Sequence, residues 1–92
     1  MSKHRYESVE EQGIIFFFKY DKASPSLLHI QARHLTTIDD ALDLFFDATP
    51  AWNEKYQRYE NLSDTHGLYW FWRNKEKREV TVITCFRVEP VL

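Results

Sequence analysis

Hydrophobic residues change spacing along this chain, and the changes mark its elements. IIFFFKY, residues 14–20, is a continuous β-branched and aromatic run bounded by Gly13 and the polar stretch DKASPS. It is too short for a helix and rich in strand formers, which predicts a β-strand. In SPSLLHIQARHL, Leu28, Ile30 and Ala32 alternate with His29, Gln31 and Arg33 as in a half-buried strand, yet Ser24 followed by Pro25 is a helix-start signal. Gln, Ala, Arg and Leu favour the helical reading. In both readings residues four apart share a face, so His29 and Arg33 project together. The position of His34 depends on the choice.

The following segment has a single period. Thr37 can cap a helix, Asp39 and Asp40 suit its N-terminal dipole, and Ile38, Ala41, Leu42 and Phe45 fall at i, i+3, i+4 and i+7. Residues 38–48 are therefore expected as an amphipathic helix. TPAWNEKYQRYEN offers Thr49 as a cap, Pro50 at the first helical position, and Trp52, Tyr56 and Tyr59 on one face, which predicts a short third helix. LYWFW (68–72) and EVTVITCFRV (79–88), joined by a basic polar turn, read as a hairpin. Simple alternation puts Thr81, Ile83, Cys85 and Arg87 on one face of the last strand and Val80, Val82, Thr84, Phe86 and Val88 on the other.

Packing helices on one side of a sheet buries Phe45, Phe46, Trp70 and Phe86 together. The expected fold is α+β: a small antiparallel sheet with two or three helices on one face. Residues 1–12 read as a charged N-terminal arm and 13–92 as one domain, because 92 residues suffice for one core but not two. A content of 43% hydrophobic and 16% aromatic residues with 2 Gly and 3 Pro separates the chain from disordered sequences.

The longest apolar run, Gly13–Phe18, is far below the ~20 residues of a membrane span, and the polar residues before it do not resemble a signal peptide. A cytoplasmic location without membrane association is expected. Cys85 is the only cysteine, so an internal disulfide and a finger-type zinc site are excluded. It has no activating neighbour in sequence, which argues against a nucleophilic role. A net charge of −2 gives no broad electrostatic grip on nucleic acid. The charge is unevenly spread, however. Residues 36–64 carry seven acids against Lys55 and Arg58, whereas residues 65–92 carry Arg73, Lys75, Lys77, Arg78 and Arg87 against Glu76, Glu79 and Glu89.

The chemistry concentrates in HIQARH, which holds two of the chain's four histidines and an arginine. Metal-independent RNA cleavage needs a base for the 2′-OH proton, an acid for the leaving 5′ oxygen, and a cation beside the phosphate. His29 and His34 supply the first two near neutral pH and Arg33 the third. The bland reading is that all three lie on the solvated face of an ordinary amphipathic element. Metal binding is not expected, since the two histidines are ~140° apart on an ideal helix and no further ligands converge. His66, in the turn-forming stretch SDTHG, is the spare histidine should His34 point inward. Tyr69, Trp70, Phe71 and Trp72 offer stacking surfaces for bases or, as is commoner for an aromatic run in a strand, pack in the core.

HIQARHLTTIDDALDLFF, followed by WN, GLYWFW and VTVITCFR, resembles the small ribonuclease toxin domains of the superfamily that groups barnase, EndoU, the tRNA-cutting colicins and RelE. The likeness covers residues 14–88 and is greatest to phage-borne and polymorphic-toxin members with a His-Ile-x-x-Arg-His signature. It implies a RelE-like fold, cleavage of tRNA or another structured RNA without a cofactor, and a cognate immunity or antitoxin protein. His29, Arg33 and His34 match the signature, Thr84 and Arg87 become secondary site residues, and Arg73, Lys75, Lys77 and Arg78 would contact RNA. Two rival classes are a catalytically inert RNA binder and a protein-interaction module, immunity-like or regulatory, that engages a basic partner through Asp39, Asp43 and Asp47.

Overall fold

The computed structural model describes residues 5–88. Eight elements follow one another: β1 (Tyr6–Glu11), β2 (Ile14–Lys19), α1 (His29–His34), α2 (Ile38–Asp47), β3 (Pro50–Asn53), β4 (Arg58–Leu62), β5 (His66–Asn74) and β6 (Glu79–Arg87). The strands form one six-stranded sheet in the order β1-β2-β6-β5-β4-β3. Every neighbouring pair is antiparallel except β2 and β6, which run parallel. The fold is α+β as expected, but the sheet is larger than expected and mixed. A parallel pair needs a crossover, and the long path through the helices and β3–β5 provides it.

Two hairpins account for the extra strands. Residues 6–11, within the charged N-terminal segment, pair in register with β2 through a two-residue turn. Gln12 (φ 52°) and Gly13 (φ 80°) both adopt positive φ there, the backbone that tight hairpin turns require. The expected third helix is instead the β3–β4 hairpin. Asn53 Oδ1 accepts the Tyr56 N–H at 3.1 Å and Gln57 takes φ 55°, closing a turn in NEKYQR. Trp52 and Tyr59 then sit opposite each other with rings 4.9 Å apart, so the aromatic spacing that suggested a helical face is satisfied across strands.

Both helices pack on one sheet face. Phe16 and Phe18 of β2, Val80 and Val82 of β6, and Leu68 and Trp70 of β5 are buried with Leu28, Ile30, Ala41, Leu42 and Leu44. Phe45 meets Phe16 edge to face at 4.8 Å and tilts over Trp70 at 4.7 Å. Thr37 caps α2, accepting the Asp40 N–H at 3.1 Å while Asp40 Oδ2 accepts the Thr37 N–H at 2.9 Å. The far end of α2 is tied down by the fully buried Asn61. Its amide donates to the carbonyls of Leu44 and Ala48 at 3.1 and 3.3 Å, and its Oδ1 accepts the Trp70 indole N–H at 2.9 Å.

A β-bulge corrects the expected faces of the last strand. Tyr69 pairs with Thr84 and Trp70 with Val82, leaving Ile83 as an extra residue. Beyond it the alternation inverts: Cys85 turns inward opposite Leu68, while Thr84 and Phe86 join the face away from the helices. The aromatic run of β5 divides accordingly, with Trp70 and Trp72 against the core and Tyr69 and Phe71 on the open face. Among the described residues no helix is long and apolar enough to cross a membrane.

Candidate functional site

The helix predicted to begin at Ser24 begins instead at His29. Asp21 explains the delay, because its Oδ2 accepts the N–H groups of Ala23 and Ser24 at 3.0 and 2.9 Å and holds 21–24 in a turn. The Asp21 N–H reaches the Leu27 carbonyl at 2.9 Å, and Leu28 bridges to Tyr20, so residues 21–28 close a small loop. Gln31 Oε1 then accepts the Leu28 N–H at 2.9 Å and starts α1. Leu35 ends it in the left-handed region at φ 55°. Buried Thr36 fastens the helix to the sheet, its hydroxyl lying 2.8 Å from the Cys85 carbonyl and 3.2 Å from that of Ile30.

This arrangement brings the three signature side chains together. The imidazoles of His29 and His34 stand edge to face with centroids 5.5 Å apart, despite the ~140° between their positions on an ideal helix. Helical side chains lean toward the N-terminus, which carries His34 back over the turn holding His29. Both line an open depression of about 410 Å³ with Arg33, Lys19, Lys22 and Asp21. Among the described residues three permanent cations line it with one carboxylate, a local positive excess inside a chain of net negative charge.

Asp21, which sequence reasoning passed over, organises the depression. Its side chain is 2% exposed, Arg33 Nε donates to Oδ1 at 2.9 Å, and His29 Nδ1 lies 3.8 Å from the same oxygen. The Arg33 hydrogen bond, helped by the Ser24 and Ala23 N–H groups, holds the Asp21 carboxyl below its ordinary pKa against the opposing effect of burial. Arg33 is oriented through Nε, and its side chain is half-exposed, so a ligand can reach it. Burial, together with the charges of His34 and Lys19, lowers the His29 pKa, and Asp21 partly opposes this. His29 is thereby biased toward the neutral imidazole, the form that accepts a proton. The signal in sequence was an acid followed by Lys-Ala-Ser-Pro, an Asx-turn pattern, twelve residues before the arginine it binds.

The remaining predicted residues lie elsewhere. His66 opens β5 beside α2, with Nδ1 2.9 Å from Thr65 Oγ1 and Nε2 4.0 Å from Asp40 Oδ2. It lines a separate depression of about 440 Å³ with Asp40, Asp43 and Asp47, so it is not part of the His29–His34 group. Arg87 is exposed opposite His66. Thr84 Oγ1 is enclosed on the open sheet face and makes no hydrogen bond among the described residues. Arg73 stacks over Tyr6 and Phe17, with its guanidinium carbon 5.0 and 4.4 Å from the ring centroids. Lys75, Lys77 and Arg78 occupy the β5–β6 turn, where Arg78 Nε meets the Gly13 carbonyl at 3.3 Å. That turn precedes Glu79, six residues from Cys85, where α1 is anchored; at ~3.3 Å per strand residue the basic turn lies about 20 Å from the site.

Cys85 is fully buried, and burial pushes its thiol pKa up to about 11, which removes it as a nucleophile. Among the described residues no group of His, Cys, Asp and Glu is arranged to hold a metal ion. No family model, curated protein or solved structure matches the chain.

Proposed function

We propose that this protein is a metal-independent endoribonuclease, a small toxin-type domain with a RelE-like arrangement of helices on one sheet face. The observation that carries the reading is the convergence of two imidazoles, 5.5 Å apart, with Arg33 on one open, cation-rich depression. Neutral His29 accepts the ribose 2′-OH proton as that oxygen attacks phosphorus. His34, as the imidazolium, returns a proton to the leaving 5′ oxygen. The products are a 2′,3′-cyclic phosphate and a free 5′-hydroxyl. Arg33, aimed by Asp21, and Lys19 stabilise the charge that builds on the phosphoryl oxygens. tRNA is the expected substrate and a cognate immunity or antitoxin protein the expected partner, since unchecked cleavage would harm its own cell.

The test is incubation of total tRNA with purified protein in EDTA. Wild type is expected to give discrete fragments, and His29→Ala and Arg33→Ala, folded by circular dichroism, to lose ~10²-fold or more in rate. Intact RNA throughout would overturn the proposal.

One observation favours a second reading. Asp43 and Asp47 line two neighbouring depressions, one with His66 and the other with Glu11 and Asp39, which makes an acidic surface suited to a basic protein partner. On that reading, Asp39→Asn, Asp43→Asn and Asp47→Asn together abolish partner binding, and His29→Ala leaves it unchanged.

A further inference from the structure

Among the described residues no element lies over the sheet face turned away from the helices, and a row of planar groups crosses it from the histidine depression. His34 lies 6.3 Å from the Phe86 ring, and Phe86 lies 5.0 Å from Tyr69. Tyr69 lies 3.8 Å beneath the guanidinium of Arg58, whose other neighbour is the Tyr56 ring at 4.6 Å. Phe86 can lie flat in this row because its partner across the strands is Gly67. A Cβ built on that glycine would stand 2.4 Å from the Phe86 ring. The bulge at Ile83 is what brings Phe86 to this face at all.

We infer that this face is a binding track for single-stranded RNA leading away from the His29–His34 depression, a substrate assignment that rests on the ribonuclease reading. Stacking surfaces of this kind accept any base, and Arg58, between the Tyr56 and Tyr69 rings, is the cation placed to meet a phosphate. A duplex keeps its bases stacked internally and cannot use them. Tyr56 is 56% exposed and Phe71, beside Tyr69, is 37% exposed, an uncovered aromatic patch of the sort that marks an interaction surface. Arg58 offsets the charge of Glu60 on the track, and the cation-rich depression at its His34 end supplies the positive charge that an anionic strand meets. Among the described residues the carboxylate on the track is Glu60, held by Arg58 and Asn53 at 2.8 Å each, while Glu10 and Glu79 lie toward the opposite end of the face.

The experiment is fluorescence polarisation with a labelled 2′-O-methyl oligoribonucleotide of about ten nucleotides, single-stranded or annealed to its complement. Wild type is expected to prefer the single strand. Tyr56→Ala, in an exposed turn where folding is not at stake, and Tyr69→Ala, checked by thermal melting, should each weaken binding by about fivefold or more. Trp52→Ala removes an exposed ring from the opposite sheet face and should leave affinity unchanged. Equal affinity for the duplex, no affinity in wild type, or Tyr variants that match Trp52→Ala would overturn the track. The 2′-O-methyl strand has no free hydroxyl to attack phosphorus, so its binding is read independently of catalysis. Binding without cleavage of the unmodified strand removes the ribonuclease reading and leaves the track standing as a binding surface. Cleavage with binding indifferent to Tyr56 and Tyr69 removes the track alone.

Discussion

Replacing Asn61 by Leu tests the joint that holds α2 to the sheet. Asparagine and leucine have the same branched outline, so the exchange removes polar partners while keeping most of the shape. The Trp70 indole N–H, in a residue 4% exposed, loses its acceptor, and the Ala48 carbonyl at the end of α2 loses a donor. The Leu44 carbonyl retains the Ala48 N–H at 3.0 Å. Two stranded groups at ~1–3 kcal/mol each, less ~1–2 kcal/mol regained by burying leucine, give at mid-range a net destabilisation of about 2.5 kcal/mol. That is a large part of the ~5–15 kcal/mol that usually holds a domain together. In a chain of this length it corresponds to a fall in Tm of about 10–20 °C. The assay is thermal melting by circular dichroism together with urea titration at constant m-value. In a Trp70→Phe background the same exchange should cost about 1–2 kcal/mol less, because the indole donor is already gone. A melting point within ~2 °C of wild type would refute the assignment of Asn61 as the joint.

Three further outcomes follow from local geometry. Leu35 is 77% exposed and strained at φ 55°, so Leu35→Gly should stabilise the protein by about 0.5–1 kcal/mol, read as a Tm raised by several degrees. His29 has its pKa lowered in the folded state, so the unfolded chain binds its proton first; stability is full above the ordinary histidine value of ~6.5 and falls as pH drops through it. Melting temperatures between about pH 8 and 5 should show that loss in wild type and a shallower loss in His29→Gln. Cys85 should resist thiol reagents at neutral pH until the protein unfolds, so labelling rates should rise with urea in step with global unfolding.

The chain's own pattern made some elements readable and concealed others for identifiable reasons. IIFFFKY, the capped period of residues 38–47 and the β5–β6 pair were legible because each carries one period and clear ends. β1 was concealed by its composition: YESVEE is an exposed edge strand whose acids, Glu7, Glu10 and Glu11, read as a solvated arm. The β3–β4 hairpin was concealed by coincidence, since Trp52, Tyr56 and Tyr59 satisfy a helical spacing while Trp52 and Tyr59 meet as a cross-strand pair. Of the site, the projection of His29 with Arg33 was readable from spacing alone. The approach of His34 was not, because it depends on a helix of only six residues ended by Leu35. Asp21 was invisible for another reason: it belongs to the loop before α1 and reaches Arg33 only through the fold. The exchange of faces after Ile83 required the bulge, for which the alternation of EVTVITCFR gives no sign.

The central claim is that His29 and His34 act in opposite protonation states on one phosphodiester. The rate of cleavage of a single-stranded RNA in EDTA, measured between about pH 5 and 9 for wild type, His29→Ala and His34→Ala, tests it most directly. The account predicts a bell for wild type, with its acid limb below the ordinary histidine value because burial lowers the His29 pKa. His29→Ala should lose that limb along with most of the rate, and His34→Ala should lose most of the rate as well. Absence of cleavage at every pH, or a wild-type bell retained in both variants, would contradict it.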